Sequence, residues 1–115
     1  MKIPQAEQAI IERKKIRDYL LSQTHPVGRF KATWFLQLGY EQQQWQQLEL
    51  DLREQHLPFE AKEMVPNQFG TKYQIRGSIV TPNGNTVELI SIWIIRTGES
   101  VPRLVTAYPG GNDGV

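Results

Sequence analysis

The spacing of apolar positions changes near Pro58: before it they recur at helical intervals, and beyond it they alternate. From Gln5 to Ser22, Ala9, Ile16, Tyr19 and Leu20 fall along one side of a helix, and charged residues from Glu12 to Asp18 surround the rest. Pro4 suits the first turn of that helix. The segment "SQTHPVG" breaks it, because Pro26 biases His25 away from helical geometry. A short second helix is expected from Arg29 to Leu38, ending at Gly39. A third is expected from Glu41 to about Gln55, with Trp45, Leu48 and Leu52 on one face.

Beyond Pro58 the pattern predicts four strands: "FEAKEMV", "TKYQIRGSIV", "TVELISIWIIR" and "RLVTAYP". Asn83-Gly84 marks a hairpin between the second and third. The order predicts an α+β domain in which three N-terminal helices pack on one face of a four-stranded antiparallel meander. The expected domain is 1–109, with 110–115 as a flexible tail that has no apolar anchor. Trp93, on the most apolar strand, is expected in the core.

A length of 115 residues suits one core and one site. The absence of cysteine excludes disulfides and thiolate chemistry and fits a cytoplasmic protein. Neither a signal peptide nor a membrane span is legible, so no membrane partner is expected. The net charge of +1 is unevenly placed. Residues 1–40 carry seven Lys/Arg against three acids, residues 41–63 two against six, and residues 64–112 four against two. Such zoning suits a polyanion on one side and a protein partner on the acidic third helix, although solvated faces would look the same.

Strict alternation sorts the strand residues onto two faces. Lys72, Gln74, Arg76 and Ser78 share one face of their strand, with Tyr73 on the other. On the last strand Leu104, Thr106 and Tyr108 should share a face, with Arg103, Val105 and Ala107 opposite. Lys31 precedes Trp34, Phe35 and Leu38 on a core-facing stripe, so it must either snorkel to water or enter a polar cleft. His25 has a side chain suited to proton transfer, but a histidine before proline also serves as a turn or cap. His56 is expected to meet the end of the third helix.

No metal-ligand spacing, phosphate-cradling glycine loop, nucleophile elbow or carboxylate pair is present in the sequence, and neither metal nor cofactor is expected. The remaining His, Lys, Arg, Thr and Tyr suit RNA cleavage through the substrate's own 2′-hydroxyl. That reaction requires only proton transfer and cationic stabilisation of the phosphate.

"HPVGRFKATWFLQLGY", "FGTKYQIRGSIVTPNG" and "PRLVTAYP" resemble, in that order, a bacterial domain family without an assigned function. Its motifs are H-P-x-G-x-x-K-A, G-x-K-Y and P-R-L-V-T-A-Y-P, and the likeness spans about residues 16–109. It directs attention to His25, Gly28, Lys31, Gly70, Lys72, Tyr73, Arg103, Thr106 and Tyr108. Arg29 lies at an open motif position. The element order also resembles the barnase–EndoU–colicin–RelE group of metal-independent ribonucleases, which includes toxins. The resemblance implies a toxin ribonuclease with His25, Lys31, Lys72, Thr106 and Tyr108 as catalytic residues and Tyr73 and Arg103 as substrate-binding residues. Its partners would be RNA and a small antitoxin or immunity protein. Two other readings use the same residues: a non-enzymatic antitoxin or immunity module, and a structural adaptor whose motifs are turns and packing.

Overall fold

A computed structural model describes residues 1–110. Helix α1 begins as an α-helical turn, Arg13–Lys15, and continues as a wider π-type stretch, Ile16–Leu20. Helix α2 is Arg29–Gln37. Helix α3, Trp45–Asp51, follows a 3-10 turn at Gln42–Gln44 and continues into a second π-type stretch, Leu52–His56. Strands β1 (Ala61–Glu63), β2 (Gly70–Val80), β3 (Thr86–Arg96) and β4 (Arg103–Pro109) form an antiparallel sheet in sequence order. The protein is therefore a mixed α+β domain whose helices precede its strands.

The first expected helix begins late. Residues Ala6–Gln8 form a single 3-10 turn, and Ile10 then runs beside β4 in a parallel bridge to Arg103. Its amide donates to the Pro102 carbonyl at 2.8 Å, and its carbonyl accepts from the Leu104 amide at 3.0 Å. Ala9 and Ile11 are buried while Gln8 is exposed and Ile10 and Glu12 are partly exposed, the two-residue period of extended chain. At the other side of the sheet, the Ala61 amide donates to the Met1 carbonyl at 2.6 Å.

Strands β2 and β3 pair along their whole length, from Gly70 opposite Arg96 to Val80 opposite Thr86. Gly84, at φ 90°, supplies the left-handed residue of the connecting loop, where its amide donates to the Thr81 carbonyl. The register of β4 shifts at Ile92/Trp93: Thr106 lies opposite Ile92, and Leu104 opposite Trp93. Val105 is therefore an extra residue in β4, a β-bulge. It returns both Leu104 and Ala107 to the core. Strict alternation fails here, because Arg103, Thr106 and Tyr108 lie opposite Ile94, Ile92 and Ile90 and so share one sheet face.

The core joins Ile16 and Leu20 of α1, Phe35 of α2, Leu48 and Leu52 of the α3 region, and Ile75, Ile79, Leu89, Trp93, Leu104 and Ala107 of the sheet. Trp93 is fully buried. His56 does not simply end a helix at the surface; it is also fully buried. Its Nε2 lies 3.1 Å from the Leu89 carbonyl oxygen, which can only accept, so Nε2 carries the proton. Its Nδ1 lies 3.0 Å from Ser91 Oγ, which in turn accepts from Trp93 Nε1 at 2.8 Å. Burial pushes the imidazole below its ordinary pKa, against the opposing pull of the Leu89 carbonyl and Glu88.

The acidic face expected on α3 loses one charge to the interior. Asp51 is buried; its Oδ2 accepts from the Tyr40 hydroxyl at 2.6 Å and its Oδ1 from Gln47 at 3.0 Å. Glu49 is bound by Arg53 at 3.0 Å. Gly110 is the one described residue of the expected tail. It is buried, donates to the Glu88 carbonyl at 2.9 Å and accepts from Arg76. The rest of the expected tail, 111–115, lies outside the described residues.

Candidate functional site

His25 begins the local construction of the site by capping the turn, Pro26–Gly28, that leads into α2. Its Nδ1 accepts from the amides of Val27 and Gly28, both at 3.0 Å, and its carbonyl accepts from Arg29 at 3.1 Å. Those amides are two and three residues on, where a capping side chain normally reaches, and Pro26 occupies the first position, where no amide is needed. The cap fixes the proton on Nε2, leaving that nitrogen as the ring's remaining hydrogen-bonding group. Gly28 has ordinary backbone angles but is pressed against α1. A Cβ there would collide with the Tyr19 carbonyl oxygen and stand 2.8 Å from Tyr19 Cδ1. The glycine thus lets the capped turn close onto Tyr19, whose ring meets that of His25 edge-on at 5.1 Å.

Tyr19 is the hub of the site. Lys31 Nζ donates to its hydroxyl at 3.2 Å, and Thr106 Oγ1 lies 3.2 Å from the same oxygen. Lys15 and Lys31 each hold an ammonium 5.4 Å from the ring centroid. Burial opposes ionisation of the phenol. The hydrogen bonds to Thr106 and Lys31, with the charges of Lys31 and Lys15, outweigh that cost and bring its pKa below the ordinary tyrosine value. Lys31 therefore does not point into the core; its ammonium ends on the Tyr19 hydroxyl and does not itself line the concavity beside that ring. Tyr19, His25, Thr106, Lys14, Lys15 and Asp18 line a cleft of about 600 Å³ between α1, the capped turn and β4.

A second depression of about 340 Å³ adjoins it, sharing Lys15 and the bulged Val105. Lys72 and Arg103 line this depression rather than the cleft at Tyr19, so the two lysines expected around one phosphate are separated. Lys72, Ile94 and Arg103 stand abreast on three neighbouring strands. Tyr73 packs in the core, where burial and the nearby Glu63 push its phenol upward, and so it does not join Lys72. Tyr108 shares a sheet face with Thr106 but lines neither concavity. Arg29 is exposed, with its guanidinium 4.8 Å over the Phe30 ring. Among the described residues no cluster of three or more His, Asp or Glu side chains is placed to hold a metal ion.

Sequence reasoning missed Tyr19 because an aromatic at helical spacing reads as core. The signal was Lys15, four residues earlier on the same helix face. It also missed Arg96 and Phe69, which line the basic depression from a strand end and a loop.

The comparisons agree with this α+β architecture. No curated protein sequence matches the chain. A chain in the structure of a contact-dependent growth inhibition toxin–immunity protein complex from Klebsiella pneumoniae 342 is similar in fold, with a TM-score of 0.58 and 15% sequence identity. The similarity covers 87% of this chain and 98% of the other. No helix among the described residues is long and apolar enough to cross a membrane. The family model for a domain of unknown function, DUF6883, matches residues 2–111, and the chain accordingly belongs to that family.

Proposed function

We propose that this domain is a metal-independent ribonuclease acting in the cytoplasm as the toxin of a bacterial toxin–immunity pair. The observation that carries the reading is the Tyr19 hydroxyl held between Lys31 and Thr106 at the wall of an open cleft. The fold shared with a chain from a toxin–immunity complex supplies the biological setting.

In the proposed reaction Tyr19, as phenolate, takes the proton of the ribose 2′-hydroxyl. The 2′ oxygen attacks phosphorus, the bond to the 5′ oxygen breaks, and that oxygen takes a proton from solvent. The products are a 2′,3′-cyclic phosphate and a 5′-hydroxyl. Lys31 favours the phenolate, while Lys14 and Lys15, which line the cleft, offer ammonium groups to the phosphate oxygens, where charge accumulates, and His25 offers Nε2–H. Thr106 orients the phenol. His25 is thereby a hydrogen-bond donor rather than a proton shuttle, because protonating Nδ1 would break the cap.

The test is incubation of purified protein with total RNA in EDTA beside Tyr19→Phe and His25→Ala variants. Cleavage by the parent, with cyclic phosphate ends, and its loss in Tyr19→Phe are expected. Intact RNA would overturn the ribonuclease reading. The immunity role is the other half of the same kind of complex, and it fits the exposed apolar Val27 and Phe30 beside the capped turn. It predicts copurification with a toxin, no RNA cleavage, and relief of that toxin's growth arrest on coexpression.

A further inference from the structure

The depression beside the cleft carries more charge than chemistry at Tyr19 requires. Lys15, Lys72, Arg96 and Arg103 converge on it from α1 and three strands, against one lining carboxylate, Glu12. Arg103 is steadied by Glu99, with Nε 3.2 Å from Oε1, while Lys15, Lys72 and Arg96 have no ion-pair partner among the described residues. Lys72 and Arg103 lie two strand spacings apart, about 10 Å, with Ile94 between them.

One wall is an exposed aromatic. Phe69 is 66% exposed and lines the depression. The chain holds it there at some conformational cost. The Phe69 amide donates to Asn67 Oδ1 at 2.8 Å, and its carbonyl accepts from Thr97 at 3.1 Å. Gly70 follows at φ 141°, where a Cβ would collide with the Ile95 carbonyl. An acidic protein surface would need only the cations. Cations beside a fixed, solvent-facing ring fit a single nucleic-acid strand, whose phosphates meet the charges while a base stacks on the aromatic.

We infer that this depression is a strand-binding subsite, in which Phe69 stacks a base of single-stranded RNA and Lys72, Arg96 and Arg103 hold its phosphates next to the cleft at Tyr19. The inference rests on the ribonuclease reading for its choice of RNA, but binding can be measured without cleavage. Lys15 and Val105, shared by both concavities, form the passage along which one strand would run from one to the other.

The experiment uses the full chain and a fluorescent oligoribonucleotide methylated at every 2′ oxygen, which cannot be cleaved by 2′-hydroxyl attack. Anisotropy is read across a salt series. Phe69→Ala is expected to weaken binding about tenfold at unchanged salt slope, since a stacked base is lost and no charge is removed. Phe69→Trp should restore affinity. Arg96→Ala and Lys72→Ala should each lower the slope by ~0.7, the value for one phosphate contact on a single strand. Circular dichroism melting confirms that each variant is folded. Absence of oligonucleotide binding by the parent, or unchanged affinity in folded Phe69→Ala, would overturn the subsite. Binding without cleavage of ordinary RNA would leave the subsite standing and remove the enzymatic reading. Cleavage with no effect of Phe69→Ala on binding would do the reverse.

Discussion

Tyr19 and Thr106, 87 positions apart in the chain, meet through their hydroxyl oxygens at 3.2 Å. The contact fastens α1 to the bulged strand and sets the direction of the phenol. If Tyr19 transfers the proton, Tyr19→Phe lowers kcat for RNA cleavage by roughly 10²–10⁴ while the ring still packs. Lys31→Met removes the hydrogen bond and charge that favour the phenolate. The rise of rate with pH should then move to higher pH. A pH–rate profile of parent and variant checks both outcomes.

Gly28→Ala should be costly for a reason unrelated to backbone angles. Its new methyl group has to displace the Tyr19 backbone or open the His25 turn. Overpacking of this kind destabilises by about 1–3 kcal/mol, measurable by urea denaturation. The same displacement pulls the phenol from Thr106, so activity should fall further than the loss of folded protein explains.

The buried His56 makes stability depend on pH. Its folded pKa lies below the unfolded value of about 6.5, so the unfolded chain binds the proton more readily. The histidine's contribution is complete above about pH 6.5 and is lost as pH falls through the folded pKa. Over that window the slope approaches ~1.4 kcal/mol per pH unit. Urea midpoints between pH 7.5 and 5 should show this decline in the parent and a flatter dependence in His56→Gln.

Asp51 predicts a separate structural effect. Tyr40 donates to it at 2.6 Å in a buried site, and burial followed by the Asp51 contact and charge drives the Tyr40 pKa far above the ordinary value. Tyr40→Phe removes a hydrogen bond to a carboxylate and should cost about 1.5–3 kcal/mol. Thermal denaturation reads the loss.

The sequence made β3 and β4 legible to the residue, because alternation and flanking turns agreed there. The bulge at Val105 was hidden: R-L-V-T-A-Y satisfies an unbroken two-residue period, and only pairing with β3 shows the extra residue. The stretch Ala9-Ile10-Ile11 suits a helix or an extended edge equally, and the free amide of Leu104 decided between them. His25 and Lys31 were found as candidates, but their roles depended on where Tyr19 stood. Lys72 was assigned to the same centre because sequence cannot show that strand spacing separates it from His25.

The opening segment reaches both sides of the sheet, with the Met1 carbonyl at Ala61 of β1 and Ile10 beside Arg103 of β4. Unpaired strand edges are templates for other chains. One segment of ten residues thus meets the outer side of both edge strands, at each occupying backbone groups that a strand of another chain would need.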